Sequence, residues 1–234
     1  MDVGPLPRAL QFLLRKEDPA RLLALLQPLA EGLTAACADA AKKVPAVREN
    51  RPAVSARGNV RRWLMHEAFI RAAEQAGIPV TKNSNVTGTW TFPVIRLGAF
   101  SITVGVVDRP YTASAPRLRS RGQYVRDLVE RNRPLNPMGD MFAKPADAMP
   151  SVIPNGAFGG LVVVEPSLWV PDTPSFIGFL VPSPDLRGNY FRCSLDFLIR
   201  HLRSKIAATK KPKRAAPQRK PVGLKRKKPQ GPQG

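Results

Sequence analysis

TWTFPVIRLGAFSITVGVVD, residues 89–108, is the stretch whose reading decides the fold class. Phe100, Ile102, Val104 and Val106 alternate with Ser101, Thr103, Gly105 and Val107, a period of two that gives a strand one apolar face. Ahead of it Trp90, Phe92 and Val94 alternate likewise. Pro93 cannot donate to a ladder, which assigns that first run to an edge strand or a bulge. Gly98-Ala99 suits a two-residue turn with glycine first, so the stretch reads as a β-hairpin.

C-terminal to the hairpin, Ser120 as cap and Pro134 as terminator bracket a helix over 121–132, with Tyr124, Val125, Leu128 and Val129 as its apolar stripe. Residues 133–156 hold five prolines and no sustained period, the signature of a long functional or unstructured loop. Leu161-Val162-Val163-Val164 is a buried-strand run, and residues 176–181 are another. Pro171-Asp172-Thr173-Pro174 turns between them, giving a second hairpin. Ser194 then caps a helix with Leu195, Leu198, Ile199, Leu202 and Ile206 on one side.

N-terminal to the hairpin, residues 7–43 read as helical. Asp18-Pro19 is a cap followed by proline at the first helical position, Leu22, Leu25, Leu26, Leu29 and Leu33 form a stripe, and Pro28 is expected to kink or divide the helix. Residues 44–58 read as a linker. A helix over 59–76 follows, capped by Asn59 and stopped by Gly77, with Val60, Trp63, Leu64 and Ala68 on one face and Glu67 beside that stripe. The expected fold is α+β: a small mixed or antiparallel sheet from two hairpins, packed with about four to five helices. The expected organisation is a helical segment over 1–44, an α+β domain over 59–202 and a disordered basic tail over 203–234.

Charge is what marks the tail. The chain has 234 residues, 43% hydrophobic, and a formal net charge of +20. Residues 203–234 contain 12 Lys or Arg and no Asp or Glu, leaving 25 bases against 17 acids, or +8, for residues 1–202. Lys210, Lys211, Lys213 and Arg214 form one cluster, Lys225, Arg226, Lys227 and Lys228 a second, and Arg219 and Lys220 lie between. Too few apolar residues accompany them to offset the entropy of ordering a backbone. Such a segment attracts polyanions by releasing their counterions, and its lack of aromatic residues removes base stacking.

The expected function is therefore nucleic-acid binding, with DNA slightly favoured because no aromatic RNA-binding platform is visible. In the body, Arg57, Arg61 and Arg62 open the second helix, and Arg117, Arg119, Arg121 and Arg126 gather around the third; the two groups would extend a phosphate-binding face if they were adjacent. A structural or partner-binding protein, oligomerising through the leucine-rich N-terminal helices, is a further reading.

No P-loop, G-x-G-x-x-G, H-E-x-x-H or G-x-S-x-G occurs, so catalysis is not expected. Cys37 and Cys193 are far apart and only His66 and His201 could join them, so no metal or cofactor site is expected. The thiols read as free, as in a reducing cytoplasm. Residues 1–5 show no basic n-region or apolar run, no stretch reaches the length of a membrane span, and a soluble cytoplasmic protein is expected.

Three carboxylates stand at element ends: Glu67 on the second helix, Asp108 after the Phe100 strand and Glu165 after the Leu161 run. Over 59–181 this order of helix, hairpin and further strand resembles the PD-(D/E)xK nucleases. The resemblance implies a metal-dependent nuclease holding Mg or Mn on Glu67, Asp108 and Glu165. That family has a lysine two residues after its glutamate, where this chain has Ser167, after Pro166.

Overall fold

The structure is a computed structural model that describes residues 17–44, 51–84, 91–108, 117–118, 123–135, 156–167, 170, 172–186 and 188–210. Helix α1 is Pro19–Lys43. The Asp18 side chain caps it by accepting from the Ala20 N–H at 3.0 Å, and Pro19 takes the first position, where its missing N–H costs nothing. The helix is continuous through Pro28 and is not divided there. Leu22, Leu25, Leu29 and Leu33 hold it to the core, which outweighs the single hydrogen bond a proline removes.

Helix α2 is Arg51–Gln75, so it begins well before Asn59, which lies in its interior rather than at its cap. Pro52 belongs to its first turn, where proline is tolerated, and half of the expected linker is helical. Its buried side is set by Met65, Ala68, Phe69, Ala72 and Ala73; of the expected face Ala68 is buried and Leu64 packs against the core, whereas Trp63 is 65% exposed. The helix ends in a Schellman motif: Gly77, at φ +64°, donates to the Glu74 carbonyl, and Ile78 donates to Ala73.

Seven strands follow among the described residues: β1 Val80–Ser84, β2 Thr91–Leu97, β3 Phe100–Asp108, β4 Arg117–Leu118, β5 Phe158–Pro166, β6 Pro174–Pro182 and β7 Asn189–Ser194. They form one sheet in the order β1-β2-β3-β5-β6-β7, with β4 also on β3. Both expected hairpins are present. Leu97 pairs with Phe100 across Gly98-Ala99, with Gly98 at φ +53°, and Leu161 pairs with Leu180. β1, β4 and β7 are additions to the expected set, and β1 makes β2 an interior strand despite Pro93. The β2–β3 ladder covers only residues 95–97 of β2, and Thr103 Oγ1 donates to the Pro93 carbonyl at 2.6 Å. Proline is thus accommodated where the backbone ladder does not require its N–H.

β3 and β5 are parallel, in register from Phe100↔Phe158 to Val106↔Val164. A parallel pair needs a crossover, and helix α3, Gln123–Glu130, lies within it. Helix α4, Leu195–Lys210, closes the described fold, capped by Ser194 Oγ accepting from the Phe197 N–H at 3.2 Å. It carries residues 203–210, so the first part of the expected tail is helical; residues 211–234 lie outside the described residues.

α1, α2 and α4 cover one face of the sheet, around Phe100, Ile102, Val162, Phe179 and Leu198. α1 shares this core and is no separate segment. On the other face, Val125, Leu128 and Val129 of α3 cover Leu161, Val163 and Leu180. α3 comes so close that a Cβ on Gly159 would stand 2.0 Å from the Leu128 carbonyl oxygen. Fully buried Asn132 locks the approach: its Nδ2 donates to the Gly159 and Pro182 carbonyls at 2.9 Å, and its Oδ1 accepts from the Gly159 N–H at 2.7 Å.

Two substitutions test this packing by chemical denaturation. Leu29→Ala in α1 lowers unfolding stability by about 3–4 kcal/mol, through lost burial and a residual cavity. Asn132→Ala costs about 3 kcal/mol, because it leaves the Gly159 and Pro182 backbone groups buried without partners.

Candidate nucleic-acid interface

The basic residues expected to bind phosphate divide into three situations. Arg119, Arg121 and the tail bases Lys211, Lys213, Arg214, Arg219, Lys220, Lys225, Arg226, Lys227 and Lys228 lie outside the described residues. Lys210 ends α4, where Arg200, Arg203 and Lys205 are exposed on the preceding turns. Cationic residues thus lead along the helix into the tail, beside the negative end of its dipole.

Arg57, Arg61 and Arg62 behave differently from one another. Arg57 Nε donates to the Val44 carbonyl at 2.9 Å, just beyond the end of α1. Arg61 is only 8% exposed, its Nε has no hydrogen-bond partner, and it stands beside the fully buried Cys37. Burial lowers the Arg61 pKa, against a raising influence of Cys37 and a further lowering by Arg57. Arg61 is therefore an interior cation between α1 and α2, not a surface ligand. Arg62 is half-buried.

This group is on the α2 side of the sheet and Arg126 is on α3, which covers the opposite face. Of the second group only the Arg126 side chain is described, and it lies across the sheet from Arg57, Arg61 and Arg62; Arg119 and Arg121 lie outside the described residues.

Glu67 and Glu165, the two residues of the nuclease resemblance whose carboxylates are described, stand in unlike surroundings. Glu67 is exposed on α2 and meets Arg71 at 4.0 Å, one helical turn on, in place of the position beside the core stripe. Glu165 is 6% exposed and its Oε1 accepts from Arg192 Nη2 at 2.8 Å; the Arg192 guanidinium also lies 4.4 Å from the centre of the Phe176 ring. That carboxylate is tied to a cation, which suits structure better than metal binding. Asp108 is at the same end of the sheet as Glu165, but the Val106↔Val164 register gives the two positions opposite parity and hence opposite faces. Among the described residues no group of three His, Cys, Asp or Glu could hold a metal ion.

Neither thiol is an activated nucleophile. Cys37 and Cys193 are free and buried, and burial raises both pKa values, Cys193 to about 11. His201 is stacked on Phe197, with ring centres 6.4 Å apart.

A site that sequence reasoning did not single out lies on the α3 side, over β1, β2 and β3. It is a cleft of about 160 Å³ with Arg96 and Arg131 on its walls, Asp127 and Leu128 from α3, and buried Ser101 and Thr103 among the strand residues. Arg131 Nη1 donates to Ser101 Oγ at 3.1 Å and to the Gly156 carbonyl at 3.3 Å. Arg96 packs on the same glycine, since a Cβ there would meet its Cδ at 3.4 Å. The only sequence signal was a charged residue, Arg96, interrupting an otherwise apolar strand, and Arg131 lies far from it along the chain.

Among the described residues no helix is long and apolar enough to cross a membrane.

His66, buried on α2, supplies a test of the packing around that helix. It is 7% exposed, and burial, with Arg62 adding, pushes its pKa down to about 4 from an ordinary 6.5. The unfolded chain takes up this proton near pH 6.5 and the folded chain only near pH 4, so stability is complete above 6.5 and declines on acidification between those values. Denaturation measured from pH 7 to 4 shows a loss of up to about 3 kcal/mol attributable to this group, and His66→Gln removes that component.

The chain matches no protein-family model, no curated protein and no solved structure, so its fold and candidate site rest on its own residues.

Proposed function

We propose that this chain is a nucleic-acid-binding protein, DNA slightly favoured over RNA, in which the cationic C-terminal segment supplies phosphate contacts and the folded domain contributes specificity or partner contacts. The observation that carries this reading is the asymmetry of charge: 12 bases and no acid in residues 203–234. A polyanion gains from such a segment by releasing condensed counterions, whatever its base sequence. The exposed Arg200, Arg203 and Lys205 of α4 extend the same field onto ordered backbone.

The nuclease reading receives no comparable support, because Glu165 is engaged by Arg192 and Glu67 sits in solvent. A dimer seam along α1 is likewise not favoured, since Leu22, Leu25, Leu29 and Leu33 are buried within the chain's own core.

Fluorescence anisotropy with labelled duplex DNA, single-stranded DNA and RNA across a salt series tests the proposal. If six bases contact duplex phosphates, log Kd changes with log salt at a slope of magnitude about 5. Replacing Lys225, Arg226, Lys227 and Lys228 together by Gln in the full chain reduces that magnitude by about 3–4 if each makes one contact. A protein with no affinity in dilute buffer, or with affinity indifferent to salt, would not be what is proposed.

A further inference from the structure

The cleft between α3 and strands β1–β3 carries two arginines, one of them, Arg96, not engaged by the fold. Among the described residues Arg96 has no hydrogen-bond or ion-pair partner, although its stem is packed on Gly156. Arg131 is held from the other side of the same residue, through Ser101 Oγ and the Gly156 carbonyl, so its head group is oriented before any ligand arrives. The Ser101 and Thr103 hydroxyl protons are already donated, to the Gly156 carbonyl at 2.9 Å and the Pro93 carbonyl at 2.6 Å. The charged donors of the cleft are the two guanidinium groups, which present planar forks matched to phosphate oxygens, and the exposed Thr81 and Asn83 add neutral ones.

Size and charge narrow the class of ligand. At about 160 Å³ the cleft is smaller than the roughly 300 Å³ at which pockets for whole drug-sized molecules begin, so it suits one anionic group rather than an entire nucleotide. Asp127 stands in the same lining. Thr81 and Asn83 of β1, at the outer edge of the sheet, are exposed on the rim, where a chain can enter and leave.

We infer that this cleft seats one backbone phosphodiester of a bound nucleic-acid strand, gripped by Arg96 and Arg131, as a fixed anchor beside the diffuse contacts of the tail. The inference rests on the nucleic-acid reading above and adds a site in the folded domain to it.

The test uses the full chain throughout. A labelled oligothymidylate is titrated across a salt series against the wild type, Arg96→Gln, Arg131→Gln and, as a control for loss of an exposed charge on the other face, Arg71→Gln. Arg96→Gln and Arg131→Gln each weaken binding roughly 3- to 10-fold and reduce the salt slope by about 0.7, while Arg71→Gln changes neither. Because Arg131 also makes contacts within the fold, the exposed Arg96 is the deciding variant.

In parallel, NMR titration with the dinucleotide d(TpT), which contains a single diester, shifts the backbone amides of Arg96, Ser101 and Arg131, and Arg96→Gln abolishes those shifts. Inorganic phosphate at the same concentration produces much smaller shifts. Equal loss of binding in Arg71→Gln, d(TpT) shifts confined to other residues, or an equal response to free phosphate overturns the diester site. If the wild type binds the oligonucleotide with strong salt dependence but Arg96→Gln is unaffected, the cleft inference falls and the proposed function stands. Absence of any oligonucleotide binding by the wild type removes both.

Discussion

Both faces of β5 are apolar, and the architecture follows from the need to cover them at once. Val162 and Val164 on one side and Leu161 and Val163 on the other are all 2% exposed or less. A strand buried on both faces belongs in the middle of a sheet with a layer on each side. The three-helix layer of α1, α2 and α4 meets one face, and the short helix α3 meets the other. α3 has only eight residues, too few to be stable alone, and its attachment relies on Asn132 and on the absence of a side chain at Gly159. Its small footprint has a second consequence: it covers β5 and β6 while a cleft remains over β1, β2 and β3.

Electrostatics follow the same layering. Buried charge is matched where Arg192 meets Glu165, and at Arg61 it is enclosed as an interior cation whose pKa burial lowers. Exposed positive charge among the described residues includes Arg200, Arg203 and Lys205 of α4 and Arg96 in the cleft. Carboxylates that look comparable along the chain have unlike surroundings, and the strand register separates the Asp108 and Glu165 positions by face although it aligns them by height. Proximity of acidic positions at one sheet end is therefore a poor guide to a metal centre unless parity agrees as well.

Local chemistry was legible. The cap of Asp18 on α1, the glycine stop at Gly77, the turn at Gly98-Ala99 and the cap of Ser194 each involve residues within a few positions of one another, and each appears where the residues call for it. The misreadings share a different cause. β1, with sequence VTKNS, has almost no apolar signal because it is exposed at the sheet edge, yet it pairs along its whole length with β2. Trp63 was read on one apolar face with Val60, Leu64 and Ala68, but the buried side of α2 centres on Met65, Ala68, Phe69, Ala72 and Ala73 and leaves Trp63 outside it. Pro93 pointed to a sheet edge, and an interior position is made possible by a hydroxyl from Thr103 on the next strand. The cleft joins residues from β1, β2, β3 and α3, and no short motif could have announced it.

By itself the sequence determined the α+β class, the two hairpins, the apolar stripe of α1 and the concentration of positive charge at the C-terminal end. Caps, turns, periodicity and net charge are properties of short segments, which is why they could be read without coordinates. Only the tertiary structure decided that β3 and β5 run parallel, that α2 and α3 lie on opposite sides of the sheet, and that Arg96 and Arg131 meet at Gly156. Periodicity reports that an element has an apolar side, but which partner covers it depends on long-range packing, and so does every site assembled from more than one element.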